Sequence, residues 1–78
     1  MNIVNSLLKQ AISETHNLVQ GEVFLVKDLF KGYEWNRIMR KDRLLLGTLF
    51  LKHVNDGQSS NIEAIDKTSS NQQRYRVK

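Results

Sequence analysis

The stretch DRLLLGTLFLKHVNDG, Asp42 to Gly57, decides the fold. Asp42 offers a side-chain oxygen for an N-cap, and Asp56-Gly57 supply a stop, because glycine takes up a left-handed backbone at little cost. Between them the sequence predicts one long helix, Arg43 to Asn55, with an inward stripe of Leu45, Leu46, Leu49, Phe50, His53 and Val54. The opposite face carries Leu44, Thr48, Leu51 and Asn55, with Lys52 at its margin. A helix that reads base edges in a major groove needs Arg, Asn, Gln or Ser near its start, where this one has Asp42 and Leu44, so it is a poor base reader. Leu44 and Leu51 stand one heptad apart and form an apolar strip suited to lining a pocket or a self-association surface.

Outward from this helix the pattern changes period on both sides. Downstream, Gln58 to Asn61 is polar and loop-like, and Asn61 to Lys67 has strand character around Ile62, Ala64 and Ile65. Thr68-Ser69-Ser70-Asn71 is a turn cluster. Gln73 to Lys78 then alternates, placing Tyr75 and Val77 on one face and Arg74, Arg76 and Lys78 on the other, so a hairpin with one basic face is expected across 61 to 78. Upstream, Tyr33 to Ile38 reads as a helical turn or two that Gly32 separates from a short helix capped by Asp28, giving a broken helix over 28 to 38. Glu22 to Lys27, EVFLVK, suits one short strand. Residues 2 to 20 are amphipathic, with Asn2 as a plausible N-cap and Gly21 as a stop.

The order helix, strand, broken helix, helix, strand, turn, strand is α+β, and it is the order of a winged helix-turn-helix: three helices, a C-terminal β-hairpin wing and one short strand pairing onto it. A single winged-helix domain over residues 1 to 78 is expected, with Leu7, Leu8, Ala11, Leu18, Phe24, Leu29, Phe30, Ile38, Leu45, Leu49, Phe50 and Val54 buried. A chain of 78 residues without cysteine has neither disulfides nor thiolate metal ligands, so its stability must come from packing. No stretch approaches the ~18 consecutive apolar residues of a membrane span and no leader pattern opens the chain, so a cytoplasmic protein without membrane contact is expected.

Catalytic constellations are missing. His16 and His53 lie far apart without metal-ligand spacing, and Gly21, Gly32, Gly47 and Gly57 are scattered as helix ends and one close-packing site, not as a phosphate loop. No enzyme, cofactor or metal centre is therefore expected. Charge is informative: residues 27 to 52 hold seven cations against three carboxylates, and from Lys67 onward Lys67, Arg74, Arg76 and Lys78 face no acidic residue. Basic clusters with nearby rings suit a polyanion, the cations neutralising phosphates and exposed rings stacking on unpaired bases. The candidate nucleic-acid-binding set is Tyr33, Trp35, Arg37, Arg40, Lys41, Arg43, Lys52, Arg74, Arg76 and Lys78. Phe30 reads as core, Trp35 as either core or stacking, and Tyr33 as the exposed ring. Single-stranded DNA bound with little sequence selectivity is the favoured ligand, its strand held between the helix-turn and the wing. The alternative is a protein-binding inhibitor or adaptor of phage or mobile-element origin that docks, or self-associates, through Leu44 and Leu51.

The stretches VKDLFKGYEW, RKDRLLLGTLFLKHV and RYRV resemble a family of small winged-helix single-stranded-DNA-binding proteins of bacterial mobile elements, first catalogued as a domain of unknown function, which includes the protein of the staphylococcal cassette chromosome. The resemblance spans residues 22 to 78 and rests on Asp28, Leu29, Phe30, Trp35, Arg43, Gly47, Phe50 and Val54 in register. It implies a winged-helix fold, single-stranded DNA as ligand and a role in replication or transfer of a mobile element.

Overall fold

The computed structural model describes residues 3–58 and 61–78; the expected N-cap Asn2 and part of the expected loop at 58–61 lie outside them. In the described residues the order is α1 (Ile3–Glu14), β1 (Val23–Phe24), α2 (Gly32–Arg37), α3 (Arg40–Asn55), β2 (Ile62–Lys67) and β3 (Gln73–Val77), with 3-10 turns at Thr15–Asn17 and Val26–Leu29. The strands form one antiparallel sheet in the order β1-β3-β2, so the first short strand does pair onto the hairpin. The fold is α+β, as expected from the alternation of periods.

Element boundaries differ from expectation for local reasons. Helix α1 stops at Glu14 and tightens to a 3-10 turn, where the Thr15 hydroxyl donates to the Ile12 carbonyl at 2.5 Å and so competes with the helical ladder. Gly21, with φ 91°, serves the entry to the sheet and not the helix end, its amide donating to the Val77 carbonyl at 2.7 Å. Asp28 is not an N-cap: its carboxylate accepts from the Leu25 amide at 2.9 Å, curling 26–29 into a 3-10 turn and cutting β1 to two residues. Gly32 opens α2 instead of interrupting it, and Glu34 accepts from the Lys31 amide at 3.1 Å. Helix α3 begins three residues early, with Met39 as its N-cap, which leaves Asp42 in the first turn where a negative charge meets the positive end of the helix dipole. Its C-terminal stop is as expected: Asp56 caps and Gly57 has φ 77°.

The hairpin pairs Ile62 with Val77, Glu63 with Arg76 and Ala64 with Tyr75, then shifts by a bulge before Lys67 meets Gln73. Asn71 takes φ 67° in its turn, and the Thr68 amide donates to the Gln72 carbonyl at 2.8 Å. The core draws on both ends of the chain, from Val4 and Ala11 of α1 to Tyr75 and Val77 of β3. At its centre Phe50 meets Tyr75 edge-to-face with ring centroids 4.9 Å apart, and Phe24 stacks on Tyr75 at 5.6 Å, so one ring from each of β1, α3 and β3 locks the sheet onto the helix. That lock sets the rotation of α3. Leu46, Phe50 and Val54 face inward at successive i+4 steps, whereas Leu45, expected in the core, is 42% exposed. Leu7, Leu8, Leu18 and Leu49 are half-buried at the core's edge, and Ile38, also expected in the core, is half-buried. Val26, Ile62, Tyr75 and Val77 complete the interior.

Candidate functional site

Because α3 turns its Leu46-Phe50-Val54 stripe to the sheet, the neighbouring stripe at i+4 and i+3 steps, Arg40, Leu44, Gly47, Leu51 and Asn55, lies along its flank. There α3 borders a groove of about 290 Å³. Leu44, Gly47, Thr48 and Leu51 form one wall, Leu25, Val26 and Lys27 of the 3-10 segment another, and Lys67 with Asn71, Gln72 and Gln73 of the hairpin the third. Tyr75 closes the floor and is almost wholly buried. Three cations, Lys27, Arg43 and Lys67, belong to the lining, and no carboxylate does.

Several carboxylates are held elsewhere by local hydrogen bonds and ion pairs. Asp28, Glu34 and Glu22 accept from the amides of Leu25, Lys31 and Val19. Asp66 and Glu63 pair with Arg74 and Arg76, at 2.6 Å and 2.7 Å, on the outer face of the sheet. The hydrogen bond from Arg74 holds the Asp66 carboxyl below its usual range, and the same bond raises Arg74. Alternation along β3 makes this unavoidable: once Tyr75 and Val77 point to the core, Arg74 and Arg76 must point away from it, and away from the groove on the same side as Tyr75. The hairpin arginines, expected to hold one strand together with Arg37, Arg40, Lys41 and Arg43, sit on the sheet face opposite Tyr75 and are ion-paired.

The other candidates separate as well. Arg43 is structural as much as it is a groove residue: its Nε donates to the Ile38 carbonyl at 2.9 Å, its Nη2 to the Asn36 carbonyl at 3.3 Å, and its guanidinium lies over the Trp35 ring at 5.5 Å. Trp35 is half-buried and packs against the core beside Phe30, centroids 5.8 Å apart. Tyr33 is 54% exposed as expected, but it stands outside the groove lining, with Arg37 at 5.0 Å and Lys31 at 6.0 Å over its ring. Arg40 is exposed at the start of the groove-side stripe, while Lys41 and Lys52 share the outer face of α3 with exposed Leu45. Lys78 follows β3, exposed, its amide donating to the Asn61 carbonyl at 2.8 Å. Leu44 and Leu51 both reach the groove.

Sequence reasoning missed Lys27, Lys67, Gln72 and Gln73. The signal for Gln73 was present, since it alternates onto the Tyr75 side, and Lys67 is its partner across the hairpin; Lys27 required knowing that 26–29 curls. Gly47 was expected at a close-packing site, but a methyl group placed there meets nothing within 4 Å, so the wall of the groove is open at that point. His16 is exposed, His53 is half-buried with its Nε2 unpartnered among the described residues, and these residues hold no cluster of three or more metal-ligating side chains. No helix among them is long and apolar enough to cross a membrane.

A family model described as a domain of unknown function, DUF1413, matches residues 9–76. No curated protein and no solved structure matches the chain.

Proposed function

We propose, from the premise that the chain belongs to the DUF1413 family, that it binds nucleic acid, gripping a single strand with little sequence selectivity in the groove between α3 and the hairpin. The observation that carries this reading is the groove's charge: Lys27, Arg43 and Lys67 line it and no carboxylate does, although carboxylates stand elsewhere on the surface. A polyanion is the ligand that such segregation favours, through release of its counterions. In this reading the fold is a winged helix-turn-helix, α2 and α3 being the helix-turn-helix and β2–β3 the wing. Low selectivity for base sequence is supported by the groove wall that α3 supplies beyond Arg43, where Leu44, Gly47 and Leu51 offer no hydrogen-bonding group to a base edge. The resemblance to the single-stranded-DNA-binding proteins of mobile elements supports the same ligand and a role in replicating or transferring such an element.

The test is a fluorescence-anisotropy titration of labelled single and double strands at two salt concentrations. Affinity for the single strand should fall steeply with salt, and the Lys27→Ala/Lys67→Ala variant should reduce the slope of log K against log salt by about 1.4, two phosphate contacts at ~0.7 each. Absence of binding, or a duplex preferred by orders of magnitude, overturns the proposal. A second reading has one specific observation behind it: Met39, Leu44 and Leu45 are exposed around the start of α3. A protein partner docking on them would bind with little response to salt.

A further inference from the structure

The groove's apolar component bears on which strands it accepts. Leu44 is 64% exposed and stands at the groove wall among the cations, so it meets whatever those cations hold. A phosphate chain held by Lys27 and Lys67 brings sugars and bases, not phosphates, against an aliphatic tip. The groove has no ring to stack a base on, because Tyr75, its one aromatic lining residue, is 1% exposed. The means by which such grooves usually hold unpaired bases, an open aromatic face, is thus missing here.

An aliphatic side chain cannot continue a base stack, but it can fill the gap between two bases that have parted, as apolar wedges do in proteins that kink DNA. The local structure suits that action. Leu44 is fixed to a helix of 16 residues whose inner face is locked into the core by Leu46 and Phe50, so its backbone is rigid. Next along the stripe Gly47 leaves open space, and half-buried Leu51 lies beyond it, so a parted base has room and an apolar surface to rest on. Thr48, which could otherwise donate to a base edge, donates its hydroxyl proton to the Leu44 carbonyl at 3.1 Å.

We infer that Leu44 is a wedge that enters between neighbouring bases, so that the groove selects strands whose bases part cheaply, pyrimidine-rich over purine-rich. The inference rests on the nucleic-acid reading above and specifies the ligand of the same groove.

Two readouts test it together. Anisotropy titrations compare oligo(dT) with oligo(dA) for the wild type, Leu44→Ala and Lys27→Ala/Lys67→Ala, and a mixed-sequence oligonucleotide with 2-aminopurine between two adenines reports unstacking by its emission. Wild type should prefer oligo(dT) by about tenfold, a difference within reach of stacking strength alone, and should raise the emission on saturation. Leu44→Ala changes an exposed residue, so its circular dichroism should match wild type; the base preference should shrink toward one and the emission rise should be lost. The lysine variant should weaken both oligonucleotides in parallel and keep their ratio. An undiminished preference and emission rise in Leu44→Ala overturns the wedge while leaving the binding site intact. Failure of the wild type to bind either oligonucleotide overturns the nucleic-acid reading itself.

Discussion

Arg43 shows how one side chain can serve fold and site together. Its guanidinium joins the carbonyls at the end of α2 to the first turns of α3 and covers Trp35, so it fixes the angle between the two helices before any ligand arrives. Charge-assisted hydrogen bonds of this kind are worth ~1.5–3 kcal/mol. Arg43→Ala should lower the unfolding free energy by about that amount in urea titrations. Arg43→Lys should recover little of it, because an ammonium cannot span two carbonyls and stack on a ring at once. Gly47 makes the opposite case. A glycine inside a helix costs ~0.5–1 kcal/mol relative to alanine, and here no neighbouring atom requires it. Gly47→Leu should therefore unfold at an equal or higher temperature than wild type while binding single strands at least about tenfold more weakly, since the new side chain occupies the open wall. Higher stability with unchanged affinity would place the ligand elsewhere.

The element that departs most from a reading of its residue types is the hairpin. Four cations and no carboxylate from Lys67 onward suggest a bare basic face, yet antiparallel pairing brings Glu63 opposite Arg76 and sets Asp66 against Arg74. The pairs are exposed and screened by salt, so they add little to stability. In the proposed reading these pairs occupy Arg74 and Arg76, and the hairpin meets the strand through the groove residues Lys67, Asn71, Gln72 and Gln73. Replacing Arg74 and Arg76 together by Ala should leave single-strand affinity and its salt slope near wild type, in the titration that detects the Lys27/Lys67 variant. A loss equal to that of the lysine variant would show the strand running over the back of the sheet.

For the whole molecule the margin is small, since a core in a chain of this length rarely supplies more than ~3–5 kcal/mol. Phe50, fully buried and in contact with the rings of Phe24 and Tyr75, is the part of the core that cannot be lost. Phe50→Ala removes ~3–5 kcal/mol and should leave the chain largely unfolded at 25 °C by far-ultraviolet circular dichroism. The same cluster gives an alkaline limit. Burial pushes the Tyr75 phenol up from 10.0 to about 12, so the folded state keeps the proton that the unfolded state releases. That contribution is complete below pH 10, shrinks as pH rises toward 12, and is of order 1–3 kcal/mol. Urea midpoints should fall between about pH 9 and about pH 11.5, and Tyr75→Phe should flatten that fall. What the sequence by itself determined is what depends on near neighbours: an amphipathic first helix, a long helix stopped at Asp56-Gly57, a hairpin with Tyr75 and Val77 on one face, and Leu44 and Leu51 on one strip. These follow from helical and strand periods, which covalent geometry imposes on any chain. Only the tertiary structure decided which way α3 rolls, and with it the exposure of Leu45, the open wall at Gly47 and the meeting of Lys27 with Lys67. Those outcomes depend on three rings from β1, α3 and β3 finding one another across the chain from Phe24 to Tyr75, and no local period records such a contact.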